Sequence, residues 1–300
     1  MIRSVLDSCM HILAIDIGGT KVTTGVFGRE ALIERASCAT NREGGPGWML
    51  DRIEALAGEW VSRFGIQACG IGFGGPVDFP SQRVICSTHV GGWDDFDLVS
   101  AIRERLGIYA VIDRDTMVGA LGEGQYGAGI GFRPLFYITI STGIGGGLLT
   151  EFGLYHGADS FACEIGHHTI EPNGPECLCG AHGCLERLCS GLWLERDYGK
   201  RADELFRDAR FVREYVKPLA QGLKTCIVLF NPARIVIGGG ISKADEALFK
   251  PLREELGRQL TPWSRARVDV VPAQLGDDAI LWGALALAKS HWSSGKPPVR

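Results

Sequence analysis

Three cysteines and a histidine in the middle of the chain have residue types and spacing that suit a metal ion. Cys177, Cys179 and Cys184 form a C-x-C-x4-C pattern, and His167 lies ten residues before the first of them. Three thiolates and one imidazole make the closed tetrahedral set that structural zinc prefers. Ordinary buried thiols are the alternative interpretation, because free cysteine is among the most buried residue types. The clustering of these four residues favours a structural zinc ion that holds the loop in a fixed conformation.

The fourth ligand of this predicted zinc site is less certain than the three sulfurs, because His168 and His182 lie nearby. His167 is favoured, since a glycine precedes it and Glu164 lies three residues back, which suits the wall of a binding pocket. Glu186 follows the last cysteine at similarly short range. A metal at this position would hold both carboxylates in place.

Two turns rich in glycine have the same layout. Residues 11–17 predict a strand that contains Asp16, followed by Gly18-Gly19-Thr20-Lys21 and a second strand at 22–27. Residues 135–140 predict another strand, followed by a turn that contains Thr142 and Gly143. Bare backbone N–H groups in such turns bind phosphate oxygens, and two opposed turns would grip a polyphosphate. The chain has no Walker A motif, and a strand follows the first turn where a dinucleotide fingerprint needs a helix. A plain tight hairpin is the alternative.

A carboxylate stands at a position where α/β folds place catalysis. A strand at 109–113 delivers Arg114 and Asp115, and a helix of small residues follows at 116–125. The carboxyl end of a strand at the start of a helix is such a position. Asp115 also suits a helix N-cap, and the two roles are compatible.

Composition and the remaining pattern set the broad class. A chain of 300 residues, 45% hydrophobic and 22% charged, predicts a soluble protein of about two domains. The net charge of −4 argues against a nucleic-acid partner, and no apolar run approaches the length of a membrane span. The N-terminus lacks the layout of a signal peptide, so we expect a cytoplasmic protein whose ten cysteines form no disulfides. Further helices are predicted at 49–64, 98–106, 192–209, 211–230, 243–260 and 279–290, and further strands at 68–73, 83–86, 234–237 and 268–271.

Five motifs together resemble the ROK family of sugar kinases and sugar-responsive repressors. They are DIGGTK (16–21), ISTGIGGG (140–147), EIGH (164–167), CLCGAHGCLE (177–186) and NPARIVIGGGIS (231–242). The resemblance implies an actin-like, hexokinase-like α/β fold: two RNase H-like lobes with a cleft between them. The expected lobes are residues 1–114 plus 286–300, and residues 115–285 with the zinc loop and a dimer surface. The resemblance also implies ATP and Mg2+, a hexose acceptor, structural zinc and a homodimer.

The resemblance assigns roles to individual residues. Asp115 matches the general base that takes the proton from the 6-hydroxyl of the sugar. The expected sugar ligands are Arg114, Glu164, His167, Glu186, Gly75 and His89, and His167 doubles as a zinc ligand. The expected ATP and metal–phosphate residues are Asp16, Gly18, Gly19, Thr20, Lys21, Thr142, Gly143, Gly239 and Gly240.

The chain departs from the family pattern around the sugar. Arg114 and Met117 stand where asparagines are usual, Gly74 replaces a proline, His89 replaces an asparagine, and Cys163 replaces a glycine. Arg114 either binds a hydroxyl, an anionic group or an acetamido group, or turns away to pair with an acid. The sequence therefore predicts an ATP-dependent hexose kinase with glucose as the default acceptor.

Several other functions compete with this one. N-acetylglucosamine, N-acetylmannosamine, mannose, fructose and allose are the alternative acceptors. A repressor is disfavoured, since only ten residues precede the first expected strand and a helix-turn-helix needs more. A non-catalytic sensor is disfavoured because Asp115 is present.

Overall fold

The computed structural model describes residues 10–294 apart from 30, 88–89, 262–263 and 265. The strands are β1 (His11–Ile17), β2 (Lys21–Gly28), β3 (Ala31–Ala39), β4 (Ala68–Phe73), β5 (Val77–Asp78), β6 (Arg83–Val84), β7 (Tyr109–Arg114), β8 (Leu135–Ile140), β9 (Ile144–Thr150), β10 (Gly153–Leu154), β11 (Arg234–Gly238) and β12 (Asp269–Pro272). The helices are α1 (Gly45–Phe64), α2 (Leu98–Leu106), α3 (Asp115–Tyr126), α4 (Leu185–Cys189), α5 (Gly191–Tyr198), α6 (Ala202–Leu205), α7 (Ala209–Phe230), α8 (Glu246–Gln259) and α9 (Ala279–Ser294). Short 3₁₀ turns lie at Ile165–His167, Gly240–Ala244 and Gly276–Asp278.

The chain divides into two compact units. Unit 1 comprises Met1–Gln125, His156–Phe161 and Asp278–Arg300, and unit 2 comprises Tyr126–Tyr155 and Ala162–Asp277. The boundaries expected from sequence, after residue 114 and before residue 286, differ from this division. The difference arises because α3 and the first turns of α9 pack in unit 1.

The sheet of unit 1 has the strand order β3-β2-β1-β4-β7. Strands β1, β2 and β3 pair antiparallel, whereas β4 and β7 continue the sheet in parallel from β1. Six consecutive residues of β1 and all six of β4 are buried, as expected for central strands covered on both faces. Apolar residues of α1 and α2 pack in the same core as these strands.

Unit 2 repeats this topology with a second five-stranded sheet, ordered β10-β9-β8-β11-β12. Strands β8, β9 and β10 pair antiparallel, and β11 and β12 extend the sheet in parallel from β8. The hairpins β1–β2 and β8–β9 thus occupy equivalent places in the two sheets. The two glycine-rich turns that look alike in sequence join equivalent strands.

Several predicted elements need correction. The helix expected at 192–209 is interrupted, because Gly199 adopts a left-handed conformation (φ 63°) that ends α5. The helix expected at 243–260 begins only at Glu246, because a 3₁₀ turn and Asp245 (φ 52°) precede it. The strand expected at 83–86 covers only Arg83–Val84. The edge strand β3 was not predicted.

Two general expectations also meet the structure. The nine cysteines that the structure describes are all free thiols. Among the described helices, none combines the length and the apolar character needed to cross a bilayer.

Helix α9 approaches its neighbours at backbone distance, and glycines make this approach possible. A Cβ added at Gly70 of β4 would overlap the carbonyl oxygen of Ala284, and one added at Gly283 would overlap that of Val118 in α3. At Gly122 of α3, an added Cβ would overlap the Ala279 carbonyl oxygen and lie 2.8 Å from the Gly283 nitrogen. Helix α3 begins at Asp115, so this packing sets where that carboxylate lies.

We predict that Gly122→Ala lowers the free energy of unfolding by about 1–3 kcal/mol or more, because the methyl group has only backbone atoms to displace. Gly58→Ala in α1 is the matched control, since its nearest neighbour would be a side-chain carbon of Glu54 at 3.6 Å. This control should be neutral or gain about 0.5–1 kcal/mol from helix propensity. Urea denaturation of both variants measures the difference, and equal stability would contradict the close approach of α9.

Candidate active site

The predicted acids and the first glycine turn of unit 1 meet at one edge of its sheet. Asp16 of β1 lies opposite Gly72 of β4, and Gly72 lies opposite Asp113 of β7. The carboxyl ends of these three parallel-related strands therefore share an edge, and Asp115 follows directly as the first residue of α3. This is the edge at which α/β sheets bind ligands.

The turn at residues 18–21, predicted to bind phosphate, is a tight closed loop. Its ends are joined by a hydrogen bond of 2.9 Å from the Gly18 nitrogen to the Lys21 carbonyl oxygen. Thr40 locks it from outside, since its nitrogen donates to the Thr20 carbonyl oxygen at 2.9 Å and its hydroxyl to that of Gly18 at 2.8 Å. Arg42 Nε adds a 3.3 Å bond to the Gly19 carbonyl oxygen. Sequence reasoning missed Thr40, because no motif marks a residue that acts from the end of a neighbouring strand.

Local hydrogen bonds hold the segment that carries Asp115. Its Oδ1 accepts the Thr116 backbone N–H at 2.7 Å, and its side chain is half-buried. Arg114 is only 6% exposed, and its Nε lies 3.1 Å from the Thr116 hydroxyl oxygen. The guanidinium at this unusual position is thus packed beside the proposed base.

Two further predicted residues lie near this edge, and one lies outside the described part. The Gly74 nitrogen donates to the Ile17 carbonyl oxygen at 2.8 Å, and a Cβ at Gly74 would lie 3.5 Å from Asp115 Oδ2. Gly75 follows with a 2.9 Å hydrogen bond to Phe73, beside the Cys86 carbonyl oxygen. His89 lies outside the described residues.

Asp16 is electrostatically unusual. Burial and then the charge of Asp115 raise its pKa to about 7, although Lys21 and Arg35 act in the opposite direction. Two carboxylates held this close favour either a retained proton or a bound cation. Hard oxygen ligands of this kind suit Mg2+.

In unit 2, the structure brings together the four predicted metal ligands. The ligand atoms of His167, Cys177, Cys179 and Cys184 lie within 4.8 Å of one another. His167 Nδ1 is 3.9 Å from the Cys177 sulfur, and the Cys179 and Cys184 sulfurs are 3.7 Å apart. Of the two rival histidines, His168 instead places Nε2 3.3 Å from the Thr225 hydroxyl oxygen.

Glycines shape the loop that carries the sulfurs. Gly180 (φ 88°) and Gly183 (φ 60°) are left-handed, and a Cβ at Gly183 would overlap the Glu171 carbonyl oxygen. The loop closes through bonds from the Cys177 nitrogen to the Ala181 carbonyl oxygen at 2.7 Å and from the Gly180 nitrogen back to the Cys177 carbonyl oxygen at 2.9 Å. Burial and the neighbouring sulfurs raise the pKa of Cys184 to about 12. A bound cation would stabilise the thiolate forms of these sulfurs, and a closed set of three sulfurs and one imidazole is compatible with zinc.

The second glycine turn meets a carboxylate in unit 2. Glu186 Oε2 accepts the Ile144 N–H at 2.8 Å, and a Cβ at Gly143 would lie 2.6 Å from the same oxygen. Thr142 lies in the same turn, and its nitrogen bonds the Ser141 hydroxyl at 2.6 Å. Glu164 immediately precedes the 3₁₀ turn that ends at His167. Glu164, His167 and Glu186 are thus tied to one metal loop and one glycine turn.

The last predicted turn lies at the carboxyl end of the next strand. Gly239 (φ 85°) follows β11, and a Cβ there would overlap the Ile140 carbonyl oxygen at the end of β8. Gly240 is exposed and has open space beside its Cα. The turns at 141–143 and 239–240 therefore lie side by side in unit 2.

Comparison with known proteins identifies the family. Residues 12–291 match the ROK family. The chain belongs to the ROK family. A glucokinase of Thermotoga maritima is 31% identical over 94% of this chain and 98% of its own length. A ROK hexokinase structure from Thermus thermophilus has a TM-score of 0.83 at 32% identity, covering 95% of this chain and all of that one. A ROK glucokinase of Streptomyces griseus, solved with glucose and AMPPNP, has a TM-score of 0.83 at 29% identity, covering 93% and 99%.

The ROK assignment confirms the predicted family and fold class. Each unit carries the same five-stranded mixed sheet, and solved ROK kinases superimpose over nearly the whole chain.

The raised pKa of Asp16 makes stability depend on pH. Between about pH 4 and pH 7 the folded ROK chain keeps a proton that the unfolded chain has lost, so stability falls as pH rises. The loss amounts to at most about 4 kcal/mol, at 1.36 kcal/mol for each pKa unit. Asp16→Asn is uncharged throughout, so its advantage over the natural chain should grow across this window. Urea denaturation from about pH 4 to pH 8 with a chelator present measures it.

A second variant tests the cause of this dependence. Asp115→Asn removes the neighbouring charge, so the stability loss should move to lower pH. A difference between Asp16→Asn and the natural chain that stays constant with pH would contradict the shifted pKa.

Proposed function

We propose that this ROK protein is an ATP-dependent hexose kinase that phosphorylates the 6-hydroxyl of its sugar, with glucose as the first acceptor to test. The observation that carries this proposal is the position of Asp115, half-buried at the ligand-binding edge of unit 1 beside a closed glycine turn. The similarity to proteins described as glucokinases supports the reaction class.

Asp115 acts as the general base in this proposal. Its carboxylate accepts the proton of the 6-hydroxyl as that oxygen forms a bond to the γ-phosphorus of ATP. The bond between the γ-phosphorus and the bridging oxygen breaks, and ADP is the leaving group. A positioned base of this kind contributes about 10²–10⁴ in rate. The hydrogen bond from Thr116 N–H to Oδ1 fixes the orientation of this carboxylate at the start of α3.

In this proposal, backbone turns bind ATP and the protein forms no covalent bond to it. Phosphoryl transfer depends mainly on positioning and charge neutralisation. Residues 18–21 offer backbone N–H groups and the Lys21 ammonium, and the turns that contain Thr142, Gly143, Gly239 and Gly240 offer more. Asp16 would hold Mg2+, which when bound neutralises phosphate charge.

The sugar is bound by Glu164, His167 and Glu186, whose hydrogen-bonding groups match hydroxyls. Zinc, held by His167 and the three sulfurs, would keep this wall stiff and supplies no catalytic step. His167 turns Nδ1 toward the sulfurs, so Nε2 on the opposite side of the ring remains for a hydroxyl. Arg114 and Gly75 belong to the same proposal, with Arg114 as the residue that most affects the choice of acceptor.

The homodimer expected from the resemblance, and the cytoplasmic location expected from the N-terminus and the cysteines, complete the proposal. Light scattering of the purified chain tests the first, and cell fractionation tests the second.

A sugar panel assayed for ATP consumption decides the function. The panel contains glucose, mannose, fructose, allose, N-acetylglucosamine and N-acetylmannosamine, and ADP release is measured by coupled absorbance. Turnover on glucose supports the proposal. Turnover only on an N-acetylated sugar would change the assigned acceptor but leave the reaction class, ATP-dependent phosphorylation of a sugar, as proposed. No turnover on any of the six would refute a hexose kinase.

We predict that Asp115→Asn lowers kcat by about 10²–10⁴ and leaves sugar affinity within a few-fold, because the amide keeps the shape but not the basicity. Calorimetric titration with the preferred sugar measures the affinity. Asp51→Asn is the control, since it changes an acid of α1 that pairs with Arg105 at the surface. Near-full turnover by Asp115→Asn would show that the base has been assigned wrongly.

We predict about one zinc per chain, and its loss on Cys179→Ser together with a rise in sugar KM of ~10-fold or more. Cys38→Ser, in the edge strand β3, is the matched control and should keep both zinc and KM. Elemental analysis and steady-state kinetics measure the two quantities. A natural chain that carries far less than one zinc, or a zinc-free variant with an unchanged KM, would count against the metal-braced wall.

A further inference from the structure

A short excursion of the chain packs on unit 1 behind Asp115. Residues His156–Phe161 belong to unit 1, although the chain on both sides of them belongs to unit 2. His156 Nε2 lies 2.7 Å from Asp113 Oδ2, and its ring stacks on Phe79 at 4.2 Å with an interplanar angle of 10°. The Ser160 hydroxyl accepts the Phe79 N–H at 3.1 Å. The excursion is therefore attached at two separate points.

Asp113 uses both of its carboxylate oxygens at this point. It is only 1% exposed, its Oδ1 accepts the Arg114 backbone N–H at 2.8 Å, and its Oδ2 faces His156. A carboxylate oxygen accepts hydrogen bonds, which makes Nε2 of His156 the donor in this pair. A buried carboxylate that loses one of two partners retains an uncompensated oxygen, which is costly.

Strand β7 needs such support because it lies at the edge of its sheet. At Ile112, the side chain of Gln82 replaces a neighbouring strand: its Oε1 accepts the Ile112 N–H at 2.9 Å, and its Nε2 donates to the carbonyl oxygen at 3.1 Å. At Arg114, the side-chain oxygen Oδ1 of Asp113 accepts the backbone N–H. Side chains, rather than a further strand, thus hold the backbone that leads into Asp115.

We propose that Asp113 and His156 form a positioning pair that fixes the Arg114 backbone and thereby the carboxylate of Asp115. Neither residue touches the reacting atoms in this proposal. The catalytic part rests on the proposed kinase function, since it concerns the placement of its base. A displacement of Asp115 by about 1 Å costs up to about 100-fold in rate.

Two substitutions separate the hydrogen bond from the packing. His156→Phe keeps a ring for Phe79 and removes the donor, whereas His156→Gln keeps an N–H donor at similar reach and removes the ring. Ser160→Ala is the matched control, because it cuts the other attachment of the same excursion without touching Asp113. We expect His156→Phe to lower kcat by ~10-fold or more with little change in KM for ATP, and His156→Gln to recover most of it. Ser160→Ala should keep kcat even if the melting temperature falls.

Two measurements do not depend on catalysis. Nitrogen-15 spectra of the histidine rings should show Nε2 of His156 carrying a proton in the natural protein. Hydrogen exchange should show faster exchange of the Arg114 amide in His156→Phe than in His156→Gln. If the sugar panel is silent, the kinase proposal fails, and these two results still decide whether the pair holds the backbone.

The outcomes that overturn the pairing are specific. A deprotonated Nε2 would remove the donor, and unchanged Arg114 exchange in His156→Phe would remove the effect on the backbone. A kcat of His156→Phe within twofold of the natural enzyme would sink the positioning role, as would a His156→Gln variant no better than His156→Phe. If His156→Phe does not fold, the natural protein's ring spectrum and the kinetics of His156→Gln against Ser160→Ala decide.

Discussion

In each unit, the candidate site gathers groups whose negatively charged forms are disfavoured unless a cation lies among them. In unit 1, burial and the charge of Asp115 raise the pKa of Asp16 to about 7, despite the opposing effect of Lys21 and Arg35. In unit 2, three sulfurs converge with one imidazole, and burial and the neighbouring sulfurs raise the pKa of Cys184 to about 12. Burying charge without a partner is expensive, so both arrangements are suited to a bound cation.

The two sets of candidate metal ligands differ in a way that matches their proposed roles. Carboxylate oxygens bind hard cations loosely and reversibly, and Mg2+ keeps several waters that phosphates can replace. Thiolates and an imidazole bind zinc in a closed tetrahedron that leaves no position for substrate. The first arrangement suits an ion that participates with ATP, whereas the second suits an ion that keeps a wall rigid. The placement of His167 in the second set extends that rigidity to a group suited to a sugar hydroxyl.

Local sequence patterns predicted the candidate metal ligands, the glycine turns and the position of Asp115, because the residues of each pattern are close in sequence. The C-x-C-x4-C spacing, the glycine turns and the step from β7 into α3 each lie within a dozen residues, so their chemistry is readable from neighbours. Strand β3 was missed because it is an edge strand whose residues alternate between exposed and half-buried, so it lacks an apolar run. Thr40, Gln82 and His156 act on segments 20 to 43 residues away, and no periodicity marks such contacts. The compact units also begin and end at other residues than the sequence suggests, because α9 packs in unit 1 through backbone contacts that glycines at distant positions allow.

The repeated topology explains why one fold supplies both halves of the proposed chemistry. In each sheet a glycine turn connects the two strands of the first hairpin. The second pair of opposite residues, counted from that turn, is Asp16 with Thr23 in unit 1 and Thr139 with Gly145 in unit 2. The acid on the strand is therefore present in unit 1 and replaced by a neutral threonine in unit 2. In unit 2 the carboxylate beside the turn comes instead from Glu186, two residues after the last cysteine of the candidate metal site. Because Glu186 approaches from the loop that carries the cysteines, its position depends on that loop being folded, while Asp16 depends only on its strand. The same backbone plan thus places one carboxylate by strand register and the other by the cysteine loop. This ties the proposed sugar wall, but not the metal–phosphate end, to the integrity of the cysteine cluster.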